Sequence, residues 1–178
     1  MTARRRILLV AAALVASLIV APFVAPDTLW HLVGGPADQG PVDLATLERR
    51  ATPNDALVCP DGGCRAQSDF PAPRFDVPPA ALFARLVDEI EADPEASIVA
   101  RDDDALSLRA VYRSPLMGFP DTVQAEVLPA ETGATLRLYS RSLIGRSDLG
   151  ANAARLRRLI DALARALPAL STASIAPL

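Results

Sequence analysis

Ile7 to Ala25 is an unbroken run of 19 residues without a charge. As a helix it would rise about 28 Å, close to the roughly 30 Å of a hydrocarbon core, so the pattern predicts a transmembrane segment. From Pro79 onward a different periodicity takes over. Leu82, Phe83, Leu86, Val87 and Ile90 fall at helical spacing with acidic residues between them, and Pro94 ends that helix. Ser97–Arg101 reads as a strand with Asp102–Asp104 as its turn. Ala105–Arg113 then alternates, with Leu106, Leu108, Ala110 and Tyr112 on one face. Asp121–Leu128 puts Val123, Ala125 and Val127 inward, and Ala134–Arg141 does the same with Leu136 and Leu138. A last helix from about Ala151 to Leu167 carries Leu156, Leu159, Ile160, Leu163 and Leu167 on one stripe.

The order helix, four strands, helix with short connections predicts an antiparallel meander. One sheet face and two amphipathic helices must bury each other. The expected fold class is therefore α+β: a transmembrane helix, then a two-layer sandwich of a four-stranded antiparallel sheet and two helices. The other sheet face would present Arg109, Arg113, Gln124, Glu126, Arg137, Tyr139 and Arg141, which is polar without being purely basic. Gly34, Gly35, Pro36, Gly40 and Pro41 break up residues 27–58, which read as a linker with one short helix capped by Asp43. The expected organisation is an Arg cluster and anchor over 1–26, that linker, a domain over 59–168 and a flexible tail over 169–178.

Charge sets the orientation. Arg4, Arg5 and Arg6 precede the apolar run and no basic residue follows it until Arg49, which keeps the N-terminus in the cytoplasm. A cleaved signal peptide is the rival, but the candidate sites are poor. Ending at Ala25 puts Phe23 three residues back, ending at Ala21 puts Ile19 there, and each is followed by Pro. The expected location is the bacterial inner membrane, single-pass, with the bilayer as partner through residues 7–25 and the domain in the periplasm. Residues 27–104 carry −10 and residues 105–178 carry +4, so the two parts of the domain attract one another.

Composition removes whole classes of function. The 178 residues carry a net charge of −3, which excludes a general nucleic-acid binder. All 18 basic residues are Arg, the signature of a GC-rich genome, so a single Arg carries less functional weight than usual. With one histidine, His31, and two cysteines, zinc enzymes and His-dependent triads are improbable. Ser140, Ser142 and Ser147 lack a base and none sits in a Gly-x-Ser-x-Gly elbow. No cofactor, metal or catalytic residue is assigned. His31 lies at the membrane edge, where a solvated role suits it.

Three segments carry candidate chemistry. In Cys59-Pro-Asp-Gly-Gly-Cys64 the glycines let the chain turn so that the sulfurs meet, and outside the cytoplasm thiols pair; free thiols and a metal or redox role are the alternatives. In Ser114-Pro-Leu-Met-Gly118-Phe119-Pro120-Asp121, Phe119 is expected to plug the core and Asp121 to pair with Arg113, or else to act as a general acid or base. The stretch from Arg137 to Arg155 joins the last strand to the last helix. Arg141, Arg146, Ser147, Asp148, Asn152 and Arg155 could hold a phosphate or carboxylate at a helix N-terminus. Alternatively, Ser147 or Asp148 caps the helix, and Asp148 pairs with Arg141, Arg146 or Arg155 to fix the junction.

These segments, in this order, resemble the family called domain of unknown function 1499. The matching residues are Cys59-Pro60 with Cys64, then Gly118-Phe119-Pro120-Asp121, then Ser140-Arg141 through Gly145, Ser147-Asp148, Gly150, Asn152 and Arg155. The chain departs from the pattern in having Gly62-Gly63 before the second cysteine and Ser142-Leu143-Ile144 before Gly145. The resemblance covers about residues 53–168. It implies a bacterial-envelope or plastid-lumen setting and no activity. The function expected is non-catalytic binding or envelope support, with an anionic ligand or envelope protein as partner. The alternative is a hydrolase or transferase acting on an anionic envelope substrate through Asp121, Asp148 and the Arg residues.

Overall fold

The four expected strands do run as antiparallel neighbours, and two further strands extend the sheet beyond them. The structure, a computed structural model, describes residues 3–24 and 26–168. Helices α1 (Ala3–Val24) and α2 (Pro26–Gly34) lead into β1 (Asp55–Cys59) and β2 (Phe70–Pro71). Then follow α3 (Pro79–Glu91), β3 (Ala96–Asp102), β4 (Ser107–Arg113), β5 (Pro120–Pro129), β6 (Ala134–Ser142) and α4 (Ala151–Ala166). The fold is α+β with a six-stranded sheet of order β2-β1-β6-β5-β4-β3 rather than the expected four strands. β1 pairs antiparallel with β6 and parallel with β2.

The two added strands are short. In β1, Ala56 and Val58 join one core while Leu57 joins another, so both faces are buried and no alternation marks the strand. β2 is only two residues long.

α3 and α4 cover one sheet face. Leu82, Phe83, Leu86, Val87 and Ile90 of α3 and Leu156, Leu159 and Leu163 of α4 meet Leu108, Ala110, Val123, Ala125, Val127, Leu136 and Leu138. Burying each large side chain contributes roughly 1.5–3 kcal/mol before the ordering cost. Pro79 starts α3 where its missing N–H costs nothing.

The second sheet face is not left to solvent. Residues 37–50 lie across it. Val42 N and O bond the Gln124 side-chain amide at 2.9 and 2.7 Å, Arg109 pairs with Asp38 at 3.1 Å, and Arg141 donates to the Gly40 carbonyl at 2.6 Å. Leu44 packs with Leu57 and Tyr139 in a small second core. The stretch read as a linker thus supplies α2, β1 and this cover. Asp43 caps a turn over residues 44–46, accepting from Ala45 N at 2.9 Å, in place of the expected short helix.

Among the described residues no helix is long and apolar enough to cross a membrane, so the expected anchor rests on the sequence and is taken up below as a proposal. Ala25 and the expected tail over 169–178 lie outside the described residues. Cys59 and Cys64 form a disulfide with their Cα atoms 6.1 Å apart, as the tight glycine turn predicts.

Candidate functional site

Sheet register builds the site. Tyr112 of β4 faces Asp121 of β5, which faces Ser142 of β6. This row shares the parity of Ala110, Val123 and Ser140, so it points toward the helices. It lies at the end of the sheet, beneath the first turn of α4. There the apolar stripe of α4 continues as Asn152 and Arg155, both buried. Polar groups from sheet and helix therefore meet where the apolar core stops.

They bond to one another, with only Arg155 Nε among them left buried without a partner. Arg155 donates to Asp121 Oδ2 at 2.7 Å, and to Ser140 Oγ and Asn152 Oδ1 at 2.9 Å each. Its guanidinium carbon lies 4.9 Å from the centre of the Tyr112 ring. Burial, with Asp93 nearby, pushes the Tyr112 phenol well above its ordinary value. Asn152 Nδ2 donates to Ser142 Oγ at 2.9 Å and to the Asn54 carbonyl at 3.1 Å, while Asn54 Nδ2 donates to the Gly145 carbonyl at 2.8 Å. The network ties β1, β5, β6 and α4 together.

Asp121 was expected to pair with Arg113. It pairs with Arg155 instead, because its strand parity turns it to the helix side. Arg113 lies on the other side and forms an ion pair with Asp27 of α2 at 2.8 Å. Asp148 was expected to pair with an Arg. Its Oδ1 accepts the Gly150 N–H at 3.0 Å and its Oδ2 the Asn152 N–H at 2.8 Å. Burial works to raise the Asp148 carboxyl, but these backbone N–H bonds outweigh it and hold the group below its ordinary value. The helix start claims Asp148 because the orphan N–H groups of the first turn lie nearest.

The other candidates divide. Phe119 does not plug the core; it is 39% exposed and stacks on Trp30, with ring centres 4.4 Å apart. Trp30 Nε1 also donates to the Met117 carbonyl at 2.8 Å, which locks α2 onto the loop. Gly118 supplies the positive φ, 63°, that the loop requires. Arg141 serves the opposite face, bonding the Gln39 and Gly40 carbonyls, and burial lowers its pKa. Arg146, Ser147 and His31 are exposed. The three arginines of the junction therefore do not converge.

A cleft of about 400 Å³ brings the two motif segments together. Asp121, Arg155 and Ser142 form its floor. Phe119 and Ile144 make apolar walls, and Ser147, Asp148 and Leu149 form the remaining side. Among the described residues no cluster of His, Cys, Asp or Glu could hold a metal ion. Sequence reasoning missed Asn54 and the stacking of Trp30. The first had a signal, a Pro-Asn pair just before an apolar run; the second had none.

A family model described as a protein of unknown function (DUF1499) matches residues 47–163. The chain belongs to the DUF1499 family. That DUF1499 match takes in the disulfide, the Phe119 loop and the whole junction network. No curated protein matches the chain. Among solved structures, protein MLL2253 from Mesorhizobium loti is similar at 15% identity, over 53% of this chain and 94% of that chain, with a TM-score of 0.39.

Proposed function

We propose that this DUF1499 protein is anchored in the bacterial inner membrane by residues 7–25. Its α+β domain faces the periplasm and binds a ligand, without catalysis, in the cleft between residues 114–121 and 142–155. The uncharged run behind Arg4, Arg5 and Arg6 supports the anchor. So do Ile7, Leu8, Leu9, Val10 and Val15, each more than half exposed. The Cys59–Cys64 disulfide suits an oxidising compartment.

One observation carries the binding reading: a cleft of ligand size whose ionisable floor is already neutralised. Asp121 pairs with Arg155, and Asp148 accepts backbone N–H groups at the helix start. The alternative, a hydrolase or transferase, draws on the same cleft because it gathers Asp121, Ser147, Asp148 and Arg155.

The test has two arms. A C-terminal alkaline phosphatase fusion should be active and a green fluorescent fusion dark; the reverse overturns the orientation. Fractionation should leave the full-length chain in membranes, and a soluble form starting near residue 26 overturns the anchor. For the cleft, detergent-solubilised protein is captured and its bound small molecules and lipids are weighed by mass spectrometry. A compound retained by wild type and lost from Ile144→Glu supports binding. Turnover of a retained compound, abolished by Asp148→Asn with folding intact, favours the enzyme.

A further inference from the structure

The cleft wall stands next to the end of the apolar run. α2 begins at Pro26, and only about 6 Å of helical rise separates Pro26 from Trp30. Trp30 stacks on Phe119, which is itself cleft wall. At the other end of α2, a Cβ added at Gly34 would stand 2.9 Å from Ile144, another residue lining the cleft. The helix that follows the apolar run therefore lies against the cleft, stacked on Phe119 and close to Ile144.

Large apolar side chains are exposed on the same elements, and Leu149 lines the cleft itself. Leu32 and Val33 of α2, Leu116 of the loop and Leu149 of the junction are 78%, 62%, 74% and 96% exposed. Leu149 also holds a positive φ of 53°, a strained state for a residue that gains no packing from it. The turn closed by the Ala151 N–H to the Asp148 carbonyl sets this conformation and leaves the leucine side chain exposed at the lip of the cleft. Exposed apolar residues beside an apolar-walled cleft mark a lipid or protein contact, and the stacking of Trp30, a few residues past the apolar run, on the cleft wall selects the lipid.

We propose that the cleft takes an acyl chain of a phospholipid from the bilayer that the N-terminal segment enters. The chain passes between Phe119 and Leu149 and lies along Ile144. A volume of about 400 Å³ accommodates roughly a dozen methylene groups, each occupying about what a water molecule does in the liquid. The Asp121–Arg155 pair closes the cleft floor, and the exposed lips sit at headgroup level. The proposal rests on the anchored reading and names the ligand class for that site.

Full-length protein is placed in nanodiscs of phosphatidylethanolamine and phosphatidylglycerol. A fraction of the lipid carries a diazirine at the end of one acyl chain. After illumination, adducts are mapped by peptide mass spectrometry. The expected result is labelling within residues 7–25 and, separately, at Phe119, Ile144 or Leu149. Leu149→Glu, at a position too exposed to unfold the domain, should cut the cleft adducts at least tenfold and leave those of 7–25 unchanged. Adducts confined to 7–25 overturn the cleft proposal while the anchored reading stands. Cleft adducts without any in 7–25 overturn the anchor and with it the bilayer as source. Absence of both overturns the two together. Equal cleft labelling in Leu149→Glu overturns the route over that lip. Labelling by a free diazirine fatty acid but not by the phospholipid shows that the occupant is not a bilayer lipid and overturns the proposal.

Discussion

Asp121 and Arg155 form a buried ion pair at 2.7 Å, with side chains 11% and 8% exposed, joining the start of β5 to the first turn of α4. Two charges so far from water repay their desolvation only together. Asp121→Ala strands the Arg155 guanidinium and should cost about 3–5 kcal/mol by denaturant unfolding. The pair Asp121→Leu with Arg155→Met should cost clearly less than the sum of its singles, since it removes the orphan charge as well as the bond. Additive losses would show that the two residues act independently.

Asp148 behaves differently because its partners are backbone N–H groups. Asp148→Ala should cost about 1 kcal/mol, the scale of a lost cap, and so less than Asp121→Ala but more than Asp161→Ala on the exposed face of the same helix. Its folded pKa lies below the unfolded value of 3.8. The contribution is therefore fully present above pH 3.8 and is lost as pH falls through the folded value. Unfolding curves of wild type and Asp148→Ala should converge in that acid range and stay separated at neutral pH.

Gly133 turns the chain between β5 and β6 at a φ of 72°, and a Cβ there would sit 2.0 Å from the Phe75 carbonyl oxygen. Gly133→Ala must push the Phe75 segment off the sheet edge. It should cost more than the roughly 1 kcal/mol of a strained left-handed alanine alone, with loss of the Phe75–Ala134 backbone bonds visible in amide exchange.

The Cys59–Cys64 bridge closes a loop of sequence separation 5. On the chain-entropy model so small a loop stabilises by about 2 kcal/mol. Unfolded, unreduced protein should resist maleimide and accept two labels after reduction. Labelling before reduction would mean the bridge is absent in the native chain.

Much of this was legible in the sequence, and the failures have physical causes. β4, β5, β6, α3 and α4 showed because apolar residues recur on one face of each and polar residues on the other, even where that polar face of the sheet is itself covered. β1 did not, since both its faces are buried and its pairing with β6 spans most of the chain. The disulfide was readable from its glycines. The parity of Asp121 with Val123 and Ala125, and of Arg155 with Leu156 and Leu159, was on the page as well. It pointed to the buried pair, yet charge proximity along the chain suggested Arg113 instead. The cover over residues 37–50 left no signal, because its bonds join residues about 70 to 100 positions apart and many of them end on backbone groups, which no local residue pattern reports.

The docking of α2 has a mechanical consequence. Asp27 already pairs with Arg113 and Trp30 already stacks on Phe119, so the domain begins to hold its own leader within a few residues of Pro26. There is no slack leash. A force applied at Pro26 reaches the end of β4 through Asp27 and Arg113, and the Phe119 loop through Trp30.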